Sequence, residues 1–208
     1  MTNFMNVRTS IEKIRQAELA EAALATLAEF GFSGTTVNRV AERAGMSSGL
    51  VHHYFKSKAD LLEMAMRQLN AHSRDEVLEK VRGIVSAREK LYAVSEALFP
   101  VGLFERQFAQ AWLAFCGEAA VSANYARIQR VMFSRMQSNI SWYLRFLVGA
   151  EEVTVTARVI CMHSHGLWLR CALDARPISR EQAITQMHKL LDKLLANHPK
   201  QTTVKVGR

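Results

Sequence analysis

Apolar residues recur along the first part of the chain at Ile11, Ile14, Ala17, Leu19, Ala22, Ala23, Leu27 and Phe30. That spacing, close to about 3.6 residues per repeat, predicts an amphipathic helix. Thr9 with Glu12 three residues on reads as a capping box that opens it, and Gly31 and Gly34 end it. Thr36 is placed to cap a short helix over 37–44, Gly45 breaks the chain, and a second short helix runs from Ser48 to about Tyr54. Ser57 followed by Asp60, Ser86 by Glu89 and Ser179 by Gln182 repeat the capping signature and start further helices. The first of these ends near Gly83 and the second stops at or before Pro100. The periodicity predicts helices over about 104–121, 123–148 and 153–175, and the last one, rich in leucine over 190–195, stops before Pro199. There is no strand alternation, internal repeat or low-complexity tract. The expected fold is all-α with about nine helices: a three-helix head over residues 1–57, a helical bundle over 58–198, and a disordered tail over 199–208.

Composition sharpens this picture in two ways. With 49% hydrophobic and 22% charged residues, the 208-residue chain can bury a core. The formal charge of +8 favours polyanionic partners. Part of that charge is local, since Arg39, Arg43, Lys56 and Lys58 face only Glu42 between positions 39 and 58. The N-terminus has no apolar signal region, and no uncharged apolar run is long enough to span a bilayer. Cys116, Cys161 and Cys171 lack paired spacing and read as reduced, buried thiols of a cytoplasmic protein.

The informative stretch is TTVNRVAERAGMSSGLVHHYFKSK, residues 35–58. A helix, a tight turn containing Gly45 and a second short helix make the spacing of a helix-turn-helix. Val37, Val40 and Ala41 can share a core with Val51 and Phe55, and the small Ala41 lets the helices cross closely. Ser47, Ser48, Leu50, His52, His53 and Tyr54 are left on the second helix, short or hydrogen-bonding and without an acid among them. Small residues at its start let a backbone approach the major groove, while hydroxyls, imidazoles and a phenol reach phosphates or base edges. Each also has an ordinary role: a serine as N-cap, the histidines as surface residues, Tyr54 as core, Lys58 as a solvated charge. Adjacent histidines on a helix point about 100° apart, so they do not chelate a metal.

This block closely resembles the N-terminal domain of the TetR family of bacterial repressors, most strongly over residues 9–67. The resemblance implies a homodimer whose two heads enter successive major grooves of a palindromic operator in double-stranded DNA. It carries DNA contact onto Thr36, Arg39, Ser47, Ser48, Gly49, Leu50, His52, His53, Tyr54 and Lys58. His52 stands where tyrosine is commoner in the family.

Further on, AWLAF at 111–115, the run from Arg127 to Asn139 and GLWLRCAL at 166–173 resemble the choline-responsive regulators of glycine betaine synthesis within that family. A quaternary ammonium is held by aromatic faces, sometimes with a carboxylate. Trp112, Phe115, Phe133, Trp142, Tyr143 and Trp168 supply aromatics, with Glu118 as counter-charge, so a small-molecule effector is expected among residues 100–170. Cys116 and His165 belong to the same candidate pocket; there the related chains tend to carry tryptophan and aspartate. Helices 153–175 and 179–197 are the expected dimer interface, with Gly166 allowing close approach.

Two other function classes fit the sequence less well. An enzyme would need more than His163 and His165 near Cys161 and Cys171, because helix positions two apart diverge by about 200°. No metalloprotease, thiol-pair, phosphate-loop or nucleophile-elbow motif occurs, so neither catalytic residues, cofactor nor metal is expected. A helical interaction module would keep the fold but would not need the basic, acid-poor face at 47–58.

Overall fold

A computed structural model describes residues 2–196, with side chains for 12, 14–66 and 77–196; the expected disordered tail lies outside the described residues. Nine helices and no strand occur among them: α1 (Thr2–Gly34), α2 (Val37–Arg43), α3 (Ser48–Tyr54), α4 (Lys58–Val81), α5 (Ala87–Glu96), α6 (Arg106–Ala119), α7 (Ala123–Leu144), α8 (Val153–Leu173) and α9 (Arg180–Leu194). The all-α expectation therefore holds. Helix α1 starts seven residues before Thr9, in a stretch without proline or glycine, so Thr9 lies inside the helix and not at its cap. Its far end is broken at Gly31, whose φ of 67° leaves the helical region.

Side-chain caps explain the starts of several other helices. At Ser179 both halves of the capping box form: Gln182 N–H donates to Ser179 Oγ at 3.2 Å, and Ser179 N–H donates to Gln182 Oε1 at 2.9 Å. Ser57 Oγ accepts from Asp60 N–H at 3.1 Å at the start of α4. Ser86 Oγ accepts from Glu89 N–H at 3.3 Å.

The described chain divides into two compact units, Met1–Ala71 with Ala111–Ile128, and His72–Gln110 with Gln129–Arg208. In the first, α1 packs on α2 and α2 on α3. Leu19, Ala22, Ala23, Val40, Ala41, Val51, Phe55, Leu61 and Ala65 form one buried cluster, with Val37 and Tyr54 at its edge. The core expected from the sequence is thus present, and the short α2 and α3 owe their stability to it, since helices of seven residues are marginal alone.

In the second unit α9 packs on α8 and on α5. Carbonyls left over beyond α5 are satisfied from a distance: the Trp168 indole N–H donates to Leu98 O at 3.0 Å and Arg180 Nε donates to Phe99 O at 2.7 Å. Helix α8 is apolar on two opposite sides. Val153, Ala157, Ile160, Ser164, Leu167 and Cys171 are buried. Val155, Val159, Met162, Leu169 and Leu173 are exposed, with exposed Gly166 in the same stripe.

Candidate nucleic-acid interface

The interface begins with the caps that set the helix-turn-helix angle. Thr36 Oγ1 accepts from Arg39 N–H at 3.3 Å and starts α2. After Ala44 the chain must reverse; Gly45 does so at φ 63°, and Met46 N–H returns to Ala41 O at 2.9 Å. Ser47, extended at φ −72° and ψ 146°, caps α3 by accepting from Leu50 N–H at 3.2 Å. Val51 is the one fully buried residue of α3, so its burial fixes which face turns outward.

That outward face carries the residues expected from the sequence. Thr36, Arg39, Ser47, Gly49, Leu50, His52 and His53 are exposed, and Ser48, Tyr54 and Lys58 are half-buried. Tyr54 packs its ring at the edge of the head core, 5.4 Å edge-on from His53. A Cβ added at Gly49 would meet nothing within 4 Å, so packing within the chain does not demand glycine there. Arg39 is held rather than loose, donating to Gly34 O at 2.7 Å with its guanidinium 4.5 Å over the Phe30 ring. Arg43 pairs with Glu29. Lys58 donates to the carbonyl of Phe32 and lies 4.3 Å from that ring's centroid.

The eight ligand candidates divide between the two units: Trp112, Phe115, Cys116 and Glu118 in the first, Phe133, Tyr143, His165 and Trp168 in the second. Phe115 is fully buried with its ring 5.5 Å from Tyr125, the arrangement of a core residue. Glu118 acts electrostatically on Lys58 and Tyr125. Phe133 and His165 are brought together, ring centroids 5.5 Å apart, and burial pushes the His165 imidazole below the ordinary histidine range. Burial pushes the Tyr143 phenol up. Trp168 is packed edge-on against Phe104 at 4.9 Å and near Phe108 at 6.2 Å, two partners the sequence reading did not single out. Trp142, counted among the aromatics from the sequence, is 48% exposed, with Arg145 5.5 Å from its ring. A helical spacing of aromatics reveals that they share a face, and not which rings already stack on each other.

An open groove of about 570 Å³ runs along α7 and the α7–α8 link, lined by Ser134, Gln137, Ser138, Ser141, Arg145, Ala150, Val153 and Thr154. None of the eight candidates lines it. Among the described residues no group of three or more histidines, cysteines or carboxylates could hold a metal ion. No described helix is long and apolar enough to cross a membrane.

Residues 19–65 match the bacterial regulatory proteins of the tetR family, and residues 87–196 match the C-terminal domain of BetI-type transcriptional repressors. A curated relative, the HTH-type transcriptional regulator BetI of Cronobacter sakazakii, is 30% identical over 191 residues, covering 91% of this chain and 95% of its own. A transcriptional regulator from Rhodococcus sp. Rha1 superposes with a TM-score of 0.76 at 26% identity, covering 88% of this chain and 97% of its own. A putative transcriptional regulator from Saccharomonospora viridis, solved in complex with choline, has a TM-score of 0.74 at 19% identity over 85% of this chain and 95% of its own; at that identity the likeness is one of fold.

Proposed function

The chain belongs to the TetR family of transcriptional regulators, with a BetI-type repressor C-terminal domain, and from that premise we propose that it represses transcription as a cytoplasmic homodimer. Its family are regulators and not enzymes, so the enzyme alternative falls on kinship. The observation that carries the reading is the outward face of α3. Ser47, Ser48, Gly49, Leu50, His52, His53 and Tyr54 meet a palindromic operator's major groove, with Thr36 and Arg39 of the preceding helix on phosphates.

The dimer is supported by the second apolar side of α8. Val155, Met162 and Leu173 are 64%, 53% and 55% exposed, too much apolar surface in one heptad-spaced stripe for a helix end-state in water. A Cβ added at Gly166 in this stripe meets nothing within 4 Å of this chain, which suits close approach by a second copy. Leu191 of α9 and Leu195 just beyond its end are buried within the chain, so they belong to its own core. Two such heads would read half-sites about one helical repeat, roughly 34–36 Å, apart.

Relief of repression by a small molecule completes the reading, with choline or a related quaternary ammonium compound as the first effector to test. BetI kinship and the choline-bound fold neighbour support that choice. A regulator of another pathway, such as efflux or catabolism, answering to an unrelated ligand is favoured by specific observations. The Trp168 indole is occupied by Leu98 O and two phenylalanines, and no aromatic side chain lines the open groove. A gel shift with the intergenic DNA beside its own gene tests the core claim; binding that ignores sequence would refute it. Calorimetry with choline and betaine aldehyde then decides the effector. Heat together with weakened operator binding supports the quaternary ammonium, and neither response from either compound removes it.

A further inference from the structure

The open groove beside α7 contains none of the residues expected to meet DNA or an effector. Ser134, Ser138, Ser141 and Arg145 recur at a spacing that keeps them on one face of α7 and its end, while Ile140 and Leu144 are buried. Gln137 and, from the first turn of α8, Thr154 complete the polar lining. Hydroxyls in other helices are spent on their own backbone: Thr26 donates to Ala22 O at 2.7 Å, Ser95 to Tyr92 O at 2.8 Å and Thr185 to Glu181 O at 2.8 Å. None of the six polar side chains of the groove hydrogen-bonds to another of the described residues. The Arg145 guanidinium lies 5.5 Å from the centroid of the Trp142 ring, a contact that orders it without using its N–H donors. The charge here is one-sided. Residues 119–150 hold four arginines and no lysine, aspartate or glutamate. Next in the chain, Glu152 accepts from Gly149 N–H at 3.3 Å, and neither it nor Glu151 lines the groove.

We propose that this outer groove binds a small hydroxylated anion, of the sugar-acid or sugar-phosphate class, with Arg145 on the anionic group and Ser134, Gln137, Ser138 and Ser141 on ligand hydroxyls. A guanidinium with no carboxylate beside it selects a negative ligand and repels a quaternary ammonium, so the groove is separate from any choline pocket. Its planar fork pairs with two oxygens of a carboxylate or phosphate at once. Serine hydroxyls and a carboxamide both donate and accept, which matches a polyol chain better than an apolar body. The volume, about 570 Å³, is that of a metabolite-sized site and far exceeds an inorganic ion, so charge alone does not fill it.

The inference goes beyond the DNA-binding and effector readings, and its test uses no DNA. Full-length protein is titrated at low salt, by calorimetry, with gluconate and with glucose 6-phosphate. Sorbitol serves as the polyol without charge, and sulfate as the charge without hydroxyls. Gluconate or glucose 6-phosphate is expected to give saturable heat, and the tighter of the two identifies the anionic group. Sorbitol and sulfate should bind at least about tenfold more weakly, because each lacks half of the contacts. Arg145→Gln should weaken the tighter probe by about tenfold or more, and Ser138→Ala with Ser141→Ala by about fivefold. Arg145→Lys, which keeps the charge and loses the fork, should fall between wild type and Arg145→Gln. Arg135→Gln, on the same helix but outside the groove, should leave binding unchanged. Circular dichroism verifies that each variant folds, and the paired serine variant keeps the test open if Arg145→Gln does not. No heat from either probe overturns the proposal. So does sulfate binding as tightly as both, which would reduce the site to charge, or heat that survives Arg145→Gln, which would place the anion elsewhere on this basic chain. Sedimentation covers the remaining occupant: an Arg145→Gln protein that dissociates would show the groove to be a contact between copies and would equally overturn it.

Discussion

Gly45 is the residue on which the helix-turn-helix turns. Its φ of 63° is one that side chains with a Cβ adopt at a cost of roughly 1–2 kcal/mol, and nothing within 4 Å would obstruct an added methyl. Gly45→Ala should therefore destabilise by about that amount through the backbone alone, read as a lower urea midpoint; an unchanged midpoint would mean the turn relaxes freely. The exposed side chains divide by role in a similar way. Leu50 presents an apolar tip to solvent, suited to base-edge contact, while the Tyr54 ring is anchored in the head core with its hydroxyl available for phosphate. Leu50→Ala should change the ranking of operator variants, and Tyr54→Phe should weaken binding to all of them alike without lowering stability. A binding array over single-base variants distinguishes the two patterns, and a Tyr54→Phe protein with altered preference would contradict the assignment.

Among the elements, α9 shows how a boundary follows from a few atoms. The reciprocal bonds of Ser179 and Gln182 satisfy two donors at its start, and Ala183, Met187 and Leu191 turn one face into the core. Ser179→Ala should cost about 1 kcal/mol; calorimetric unfolding checks this, and a loss of only a few tenths would show that packing, not the cap, sets the start. Helix α8 makes the contrasting case. It has a continuous pattern of apolar positions, yet its two stripes have different fates: the one through Ala157, Ile160 and Leu167 is buried in the chain, and the one through Val159, Met162 and Leu169 is not.

The second stripe raises the question of the whole molecule. If α8 pairs with its symmetry mate, Gly166→Leu should drive the protein toward monomer while leaving each chain folded, because a Cβ added there meets nothing within 4 Å of its own chain. Sedimentation together with circular dichroism would report both, and a persistent dimer would locate the interface elsewhere. The molecule should also respond to acid. Burial pushes His163 and His165 below the ordinary histidine range, and His163 Nε2 is buried without a hydrogen-bond partner. The unfolded chain therefore takes up these protons first. The stability they confer is fully present above the unfolded value near about 6.5 and is lost as pH falls through the lower folded values. Urea midpoints should fall between about pH 7 and about pH 5, and less so in a His163→Gln, His165→Asn protein; equal falls in both would assign the effect to other groups.

By itself the sequence determined the helices, most of their caps and the fold class, because these rest on interactions within a few residues: Ser47 with Leu50, Ser179 with Gln182, Gly45 with its own φ. It also determined the outward side of α3, since Val51 and Phe55 could point only at the core formed with Val40 and Ala41. Only the tertiary structure decided what long-range contacts decide. It put Phe115 in the core, gave the Trp168 indole to Leu98, left Trp142 on the surface, and turned Lys58 toward Phe32, residues 26 apart in the chain. Periodicity records that a side chain leaves water on one side of its helix; which neighbour receives it depends on how distant helices pack, and no local pattern encodes that.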